Sequence, residues 1–191
     1  MIRAEGLSRS FGTKRVLRGL DFEVAEHDFL LVTGPNGSGK STLLALCAGL
    51  LAPTGGSLDV SVERGELGYL AHEPLVYREL TALENLDLYG RLYRVPERRE
   101  RVGMLLERFR LWDSRHERVG SFSRGMTQRL ALCRVLLHEP RLLLLDEPYS
   151  GLDPAAAVLV DEVLSEGRTF VVATHDRDRV RGHVQQELVL A

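Results

Sequence analysis

The chain has 191 residues, of which 44% are hydrophobic and 27% are charged, as in an ordinary folded protein with room for a buried core. A formal net charge of −2 argues against broad electrostatic binding to nucleic acid. No apolar run approaches the ~18 residues of a membrane span, and residues 1–5 do not resemble a signal peptide, so any membrane role is expected to act through a partner. Cys47 and Cys133 lie in apolar helical patterns, which favours buried reduced thiols over a disulfide or a metal pair.

Residues 2–24 predict two strands around a turn at Gly12-Thr13. Apolar and polar residues alternate over 20–24, as in a half-exposed antiparallel strand. Phe11 directly precedes the turn. An aromatic ring there can stack on a nucleotide base, although a lone aromatic residue is more often plain packing.

The stretch 34–42 is the centre of the predicted site. It fits the phosphate-binding pattern G-x-x-x-x-G-K-[ST] and consists of Gly34, Pro35, Asn36, Gly37, Ser38, Gly39, Lys40, Ser41 and Thr42. An apolar strand over 29–33 precedes it and a helical pattern follows, which is the context the motif requires. The glycines let successive backbone N–H groups face one anion, and the helix N-terminus adds a favourable dipole.

Two side chains of this loop have specific predicted roles. Lys40 is expected to reach the β- and γ-phosphates, and the Ser41 hydroxyl is expected to ligate Mg²⁺. Only Lys14 and Lys40 are lysines among the 25 basic residues, so the chain places lysine where a point charge is wanted.

Short strand patterns at 58–60 and 67–70 give way to helical periodicity. Thr81 and Glu84 form a capping box, Pro96 suits the first turn of a second helix, and Ser123 is the predicted N-cap of a third. We therefore expect a helical insertion over about 73–137.

The apolar run 142–145 predicts a central parallel strand, followed by a helix from 153–154 to about 164, a strand at 169–173 and an edge strand at 187–190. The predicted fold class is α/β: a P-loop NTPase core with a mixed or parallel sheet, an antiparallel β edge and an inserted α-helical subdomain. Residues 1–191 form one domain, with its core over 1–72 and 138–191.

Polar residues follow three strand ends, where ligands of open α/β sheets bind. Asp146 is placed to hold Mg²⁺ directly or through water, and Glu147 to act as general base on the attacking water. His175 is placed to hydrogen-bond the γ-phosphate or that water. Taken alone, Asp146 and Glu147 can be an acidic cap where a strand emerges into solvent, and His175 can be a polar residue that ends a strand.

These motifs, taken in chain order, resemble those of the ATP-binding-cassette family, and the resemblance covers nearly the whole chain. Residues 122–129, Phe-Ser-Arg-Gly-Met-Thr-Gln-Arg, resemble the family's signature Leu-Ser-Gly-Gly-Gln and the basic helix after it, with Ser123 and Gly125 matching and Phe122, Arg124 and Met126 departing. From the residues alone, Ser123 can be a simple helix cap. The resemblance implies in addition that Ser123 and Gly125 contact ATP bound to a second copy, in a head-to-tail homodimer with two composite sites. It also implies ATP and Mg²⁺ as cofactors.

His72 stands where the family usually has a glutamine that touches the metal site and couples it to the membrane partner. Together with the sequence of residues 122–126, His72 makes the chain resemble the cytochrome c maturation branch of the family. That branch supplies the ATPase subunit of a proposed haem exporter. The resemblance implies integral membrane subunits docking near His72–Leu80, where Leu75, Val76, Tyr77 and Leu80 interrupt polar residues, although some of these can be core. The expected location is peripheral, on the cytoplasmic face of the cell membrane.

Three alternatives remain open from the sequence. One is the ATPase of a generic exporter. Another is a soluble family member acting in DNA repair or translation, which usually needs a long coiled coil or two cassettes. A regulatory nucleotide-binding module without turnover is the third, and it is disfavoured by the intact Lys40, Asp146, Glu147 and His175.

Overall fold

The computed structural model describes residues 1–191, which divide into two compact units. The first unit comprises residues 1–72, 141–147 and 164–191, and the second comprises 73–140 and 148–163. Residues 148–163, which the sequence analysis assigned to the core, therefore cluster with the helical insertion.

The first unit contains all the strands and two helices. In chain order these are β1 (Ile2–Phe11), β2 (Lys14–Val24), β3 (Phe29–Thr33), α1 (Lys40–Cys47), β4 (Gly55–Val60), β5 (Leu67–Leu70), β6 (Leu142–Asp146), β7 (Thr169–Ala173), α6 (Arg177–Val180) and β8 (Gln186–Val189). The strands form a three-stranded antiparallel sheet, β2-β1-β4, and a five-stranded parallel sheet, β5-β6-β7-β3-β8. The predicted fold class is confirmed.

The parallel sheet explains the unbroken apolar runs of the sequence. Every residue of β3, β6 and β7 is buried, because helices and neighbouring strands cover central strands of parallel sheets. Register pairs Val32 with Ala173 and Asp146 with Ala173, so the carboxyl ends of β3, β7 and β6 lie side by side. The residues that follow these three strands are consequently brought together.

The second unit is helical, with α2 (Ala82–Leu92), α3 (Arg98–Arg108), α4 (Arg124–Leu136) and most of α5 (Pro154–Leu164). The Thr81 hydroxyl accepts a hydrogen bond from the Glu84 N–H, and the Glu84 carboxylate accepts one from the Thr81 N–H, which is the predicted capping box. Ser123 caps α4 by accepting from the Met126 N–H.

Pro96 lies outside α3, in contrast to the expectation. Glu97 is the residue before the helix, and its left-handed backbone, with φ of 47°, delays the first helical residue to Arg98. Both cysteines are buried and unpaired, and burial raises the pKa of the Cys47 thiol to about 12. None of the six helices combines the length and the apolar character needed to span a bilayer.

Candidate functional site

The loop between β3 and α1 depends on glycine at two positions. Gly34 has φ of +143°, and a Cβ there would lie 2.4 Å from the Leu190 carbonyl oxygen. Gly39 has φ of +104°, and a Cβ there would lie 2.7 Å from the Leu17 side chain. The left-handed backbone and the close neighbours together exclude any side chain, so the two glycines that define the motif are required by geometry.

Lys40 folds over this loop as the first residue of α1. Its ammonium donates hydrogen bonds to the carbonyl oxygens of Gly34 at 2.8 Å and Pro35 at 3.1 Å. The residue is only 9% exposed. The positive charge is thereby held at the N-terminus of α1, where backbone N–H groups and the helix dipole already favour an anion.

A cavity of about 490 Å³ opens at this end of the sheet. It lies within the first unit and includes most of the predicted site. The lining residues are Lys14, Val16, Asn36, Gly37, Gly39, Lys40, Ser41, Thr42, His72, Asp146 and Glu147. Lys14 and Val16 were not predicted as lining residues from the sequence. The same count that singled out Lys40 also marks Lys14, because they are the only two lysines of the chain.

Asp146 ends β6 at the floor of the cavity and is only 2% exposed. Burial raises the pKa of its carboxyl, an effect opposed by a hydrogen bond from the Ser41 hydroxyl and by the nearby charges of His72 and Lys40. Its Oδ2 atom is buried without a hydrogen-bond partner. A buried carboxylate oxygen with no donor is disfavoured unless a cation satisfies it.

The residues therefore fit a hard divalent cation. Carboxylate and hydroxyl oxygens are the ligands that Mg²⁺ prefers, and it usually takes only one or two from the protein with the rest from water and phosphate. No group of three or more His, Cys, Asp or Glu side chains is arranged to hold a metal by itself. Asp146 and Ser41 would hold Mg²⁺ together with phosphate oxygens, with His72 on the wall of the same cavity.

Glu147 turns back over the strand ends. Its backbone is left-handed, with φ of 49°, and its N–H donates to the Ala173 carbonyl at 2.8 Å. The Oε2 atom accepts a hydrogen bond from the Thr174 hydroxyl at 3.1 Å and lies 3.0 Å from Nδ1 of His175. Thr174 is 2% exposed and also accepts from the Asp176 N–H, so it is a fixed support for the carboxylate. This role of Thr174 was not predicted from the sequence.

His175 contacts Glu147 but is not part of the cavity lining. Its side chain is 84% exposed, whereas that of Glu147 is 17% exposed. The imidazole therefore reaches the carboxylate from the solvent side, and the two predicted catalytic residues do form a pair.

Phe11 ends β1 and is 47% exposed, outside the cavity lining. The guanidinium of Arg9 lies 4.5 Å from the centre of its ring, a cation–π contact that covers one face. Stacking of a nucleotide base on this ring stays a prediction.

Ser123 and Gly125 lie at the start of α4 in the second unit. A Cβ at Gly125 would lie 2.9 Å from the Gly151 carbonyl oxygen, so a larger residue there would push this turn away. Within the unit, Ser123 caps the helix N-terminus as the sequence predicts, and binding of a phosphate at this end stays a prediction.

A sequence model of the ABC transporter family matches residues 17–150 of this chain. The chain belongs to the ABC transporter family. The match includes the loop 34–42, the pair Asp146-Glu147 and the residues 122–126, so it confirms the resemblance read from those motifs.

The relatives and solved structures agree with this family. The Nod factor export ATP-binding protein I of Rhizobium sp. (strain N33) is 37% identical over 89% of this chain and 61% of its own length. The daunorubicin resistance ATP-binding protein DrrA3 of Streptomyces coeruleorubidus is 40% identical over 91% of this chain and 59% of its own length. A dimeric ATP-binding cassette solved in a post-hydrolysis state with ADP and Pi superposes with a TM-score of 0.88 at 26% identity, covering 100% of this chain and 94% of that one. The chain thus spans about three-fifths of the length of the curated relatives it matches.

Proposed function

We propose that this chain is the ATP-hydrolysing subunit of a membrane exporter. The observation that carries the proposal is one cavity that combines a phosphate loop, a buried carboxylate oxygen without a donor on Asp146, and the Glu147 carboxylate held by Thr174 and His175. A regulatory module without turnover has no use for a carboxylate held in place as a base, which is the last of these features.

The chemistry follows from these positions. The backbone N–H groups of the loop and the Lys40 ammonium bind the β- and γ-phosphates of ATP. Mg²⁺, held by Ser41 and Asp146, supplies charge neutralisation of the phosphate oxygens when bound. Glu147 orients the attacking water and takes its proton, and Thr174 and His175 keep the carboxylate in place for that transfer.

Glu147→Gln tests the assignment of the base. The variant keeps the size and the hydrogen-bonding ability of the side chain but cannot accept a proton, so it should bind ATP and hydrolyse it at least 100-fold more slowly. Glu23→Gln, an exposed change on β2, is the matched control and should hydrolyse ATP at the parent rate. If Glu147→Gln keeps more than a tenth of the parent turnover, the base is elsewhere.

We also propose that ATP drives two copies into a head-to-tail dimer. The solved neighbour in the post-hydrolysis state is dimeric, and the anion-binding end of α4 suits the phosphate of a nucleotide held by a second copy. Glu147→Gln should therefore dimerise when ATP and Mg²⁺ are added, as measured by light scattering. Only monomer at saturating ATP and Mg²⁺ would exclude the composite site.

A surface of the second unit is proposed to dock a short helix from a membrane subunit. Leu75 and Tyr77 are 46% and 50% exposed, whereas Val76 and Leu80 are half-buried. The buried Asn85 fixes this segment by accepting from the Tyr77 N–H at 2.8 Å and donating to the Tyr77 carbonyl at 2.9 Å. A rigid, exposed apolar pair is the kind of anchor that protein interfaces use.

This docking surface is testable by co-expression with a cognate membrane subunit. Tyr77→Asp should release the chain from isolated membranes without changing its ATP affinity. Leu92→Asp is the matched control, since Leu92 is 67% exposed on α2 but lies outside the segment. Equal retention of both variants on the membrane would refute this docking surface. The chain would then have to bind the membrane subunit at the cytoplasmic face through another contact.

The class of substrate that is transported is the most specific part of the proposal. Two relatives are named for Nod factor export and for daunorubicin resistance, which favours the interpretation of this chain as the ATPase of a generic exporter. His72 on the cavity wall and the form Phe-Ser-Arg-Gly-Met favour haem export in cytochrome c maturation as a second candidate. Loss of the gene should deplete mature c-type cytochromes, with other haem proteins unchanged, only under the second candidate.

A further inference from the structure

Arg124 occupies a position that local helix physics disfavours. It is the first residue of α4, directly after the cap Ser123. A cation in the first turn of a helix opposes the helix dipole, and the family's common signature has a small residue there. The contacts of its side chain supply a reason for the arginine.

We propose that Arg124 is a positioning residue that clamps the turn formed by residues 148–151 onto the first turn of α4. This turn directly follows Glu147 in the chain, and Ser123 is the residue proposed to meet the ATP of a second copy. The clamp therefore makes the turn and the Ser123 end of α4 move as one part of the composite site. The inference rests on the proposed ATP-driven dimer.

The guanidinium holds the turn at Ser150. Nη2 of Arg124 donates a hydrogen bond to the Ser150 hydroxyl oxygen at 2.6 Å. The aliphatic stem of Arg124 covers Gly151, where an added Cβ would lie 2.7 Å from Cγ and 2.8 Å from Cδ of the arginine. Gly151 has φ of +74°, so glycine allows both the turn and this close approach.

Two neighbours on α4 extend the contact. Gly125 brings the helix backbone against the Gly151 carbonyl, at 2.9 Å from the position a Cβ would take. Gln128, which is 6% exposed, donates from Nε2 to the Pro148 carbonyl at 3.2 Å. Arg124 and Gln128 are four residues apart and therefore share a helix face, so they hold the turn at both of its ends.

The experiment measures the ATP-dependent dimer in the slowly hydrolysing Glu147→Gln parent. Arg124→Ala and Ser150→Ala should each weaken the dimer about three- to tenfold, as expected for one hydrogen bond to a charged group in a partly exposed place. The double variant should be no weaker than the worse single variant, because both changes remove the same contact. Arg99→Ala, an exposed arginine on α3, is the matched control and should dimerise like the parent.

The alternative is that the charge of Arg124 acts directly on the nucleotide of the second copy. In that case Arg124→Ala weakens the dimer while Ser150→Ala has no effect, and Arg124→Lys restores the parent affinity. That pattern would overturn the clamp. Affinity of the monomer for a fluorescent ATP analogue should be unchanged in every variant.

Hydrogen exchange tests the clamp without a dimer. The Leu152 N–H donates to the Tyr149 carbonyl at 3.1 Å across the turn, which makes it a local reporter. Its exchange should be at least threefold faster in Arg124→Ala and Ser150→Ala than in Arg99→Ala. If the parent does not dimerise with ATP but this exchange still rises, the composite site is wrong and the clamp stands; unchanged exchange overturns the clamp.

Discussion

Lys40→Ala measures how much of the nucleotide affinity comes from the phosphate loop. In the structure the Lys40 ammonium already makes two hydrogen bonds, to the carbonyls of Gly34 and Pro35. Binding ATP exchanges these neutral acceptors for charged phosphate oxygens, so the net gain is smaller than two full charged hydrogen bonds. Taking one such bond at about 2–3 kcal/mol predicts about 30- to 150-fold weaker binding.

The assay is a titration with a fluorescent ATP analogue in excess Mg²⁺. Lys14→Ala is the matched control, because Lys14 is the only other lysine and lines the same cavity while remaining exposed. Solvent screens an exposed charge, so its removal should weaken binding less than about threefold. The melting temperature of each variant should stay within about 5 °C of the parent, since only polar loop contacts are removed. If Lys40→Ala binds like the parent, or no more weakly than Lys14→Ala, the loop does not bind the phosphates as argued.

Two further predictions concern the carboxylates. Thr174→Val removes the hydroxyl that donates to Glu147 Oε2 at 3.1 Å, so kcat should fall about tenfold with KM unchanged, while Thr174→Ser should retain the rate; a parent-like valine variant would show that His175 alone suffices. Asp146→Asn should raise the melting temperature in metal-free buffer at pH 7 and abolish the stabilisation by Mg²⁺ and ATP. The sign follows because burial raises the pKa of Asp146: the carboxyl favours folding below its ordinary pKa, and this contribution is lost as pH rises through the raised value. A melting temperature at pH 7 below that of the parent, without metal, would contradict the prediction.

The sequence predicted the parallel sheet well because its signals are strong and local. Runs such as 142–145 are apolar without alternation, a pattern that is typical of strands buried on both faces. Since the ligand site of such a sheet lies beyond the strand ends, the positions of Asp146, Glu147 and His175 followed from the strand predictions. The distance of 3.0 Å between Glu147 and His175 agrees with that expectation.

The missed residues depend on contacts that no local pattern encodes. Thr174 directly follows the buried strand β7, and its hydroxyl acquires a role only because β7 lies beside β6. Lys14 lies 20 residues before the first residue of the loop, Gly34, and reaches the cavity from the start of β2. The two ends of the Arg124–Ser150 contact are 26 residues apart. Residues 148–163 cluster with the helical unit for the same reason, since such packing is not visible in chain order.

The register between β6 and β7 links the stability of the sheet to the position of Glu147, the proposed base. Pairing of Asp146 with Ala173 aligns the two buried strands and also places the Ala173 carbonyl where it accepts from the Glu147 N–H at 2.8 Å. A left-handed backbone at a residue with a side chain costs on the order of 1–3 kcal/mol, so Glu147 needs this bond and the Thr174 contact to hold its φ of 49°. A slip of one residue would move every side chain of the strand to the other face and remove both contacts. The apolar residues that stabilise β6 and β7 therefore fix the geometry of the proposed catalytic carboxylate, and substitutions that loosen this pairing should lower turnover before they unfold the chain.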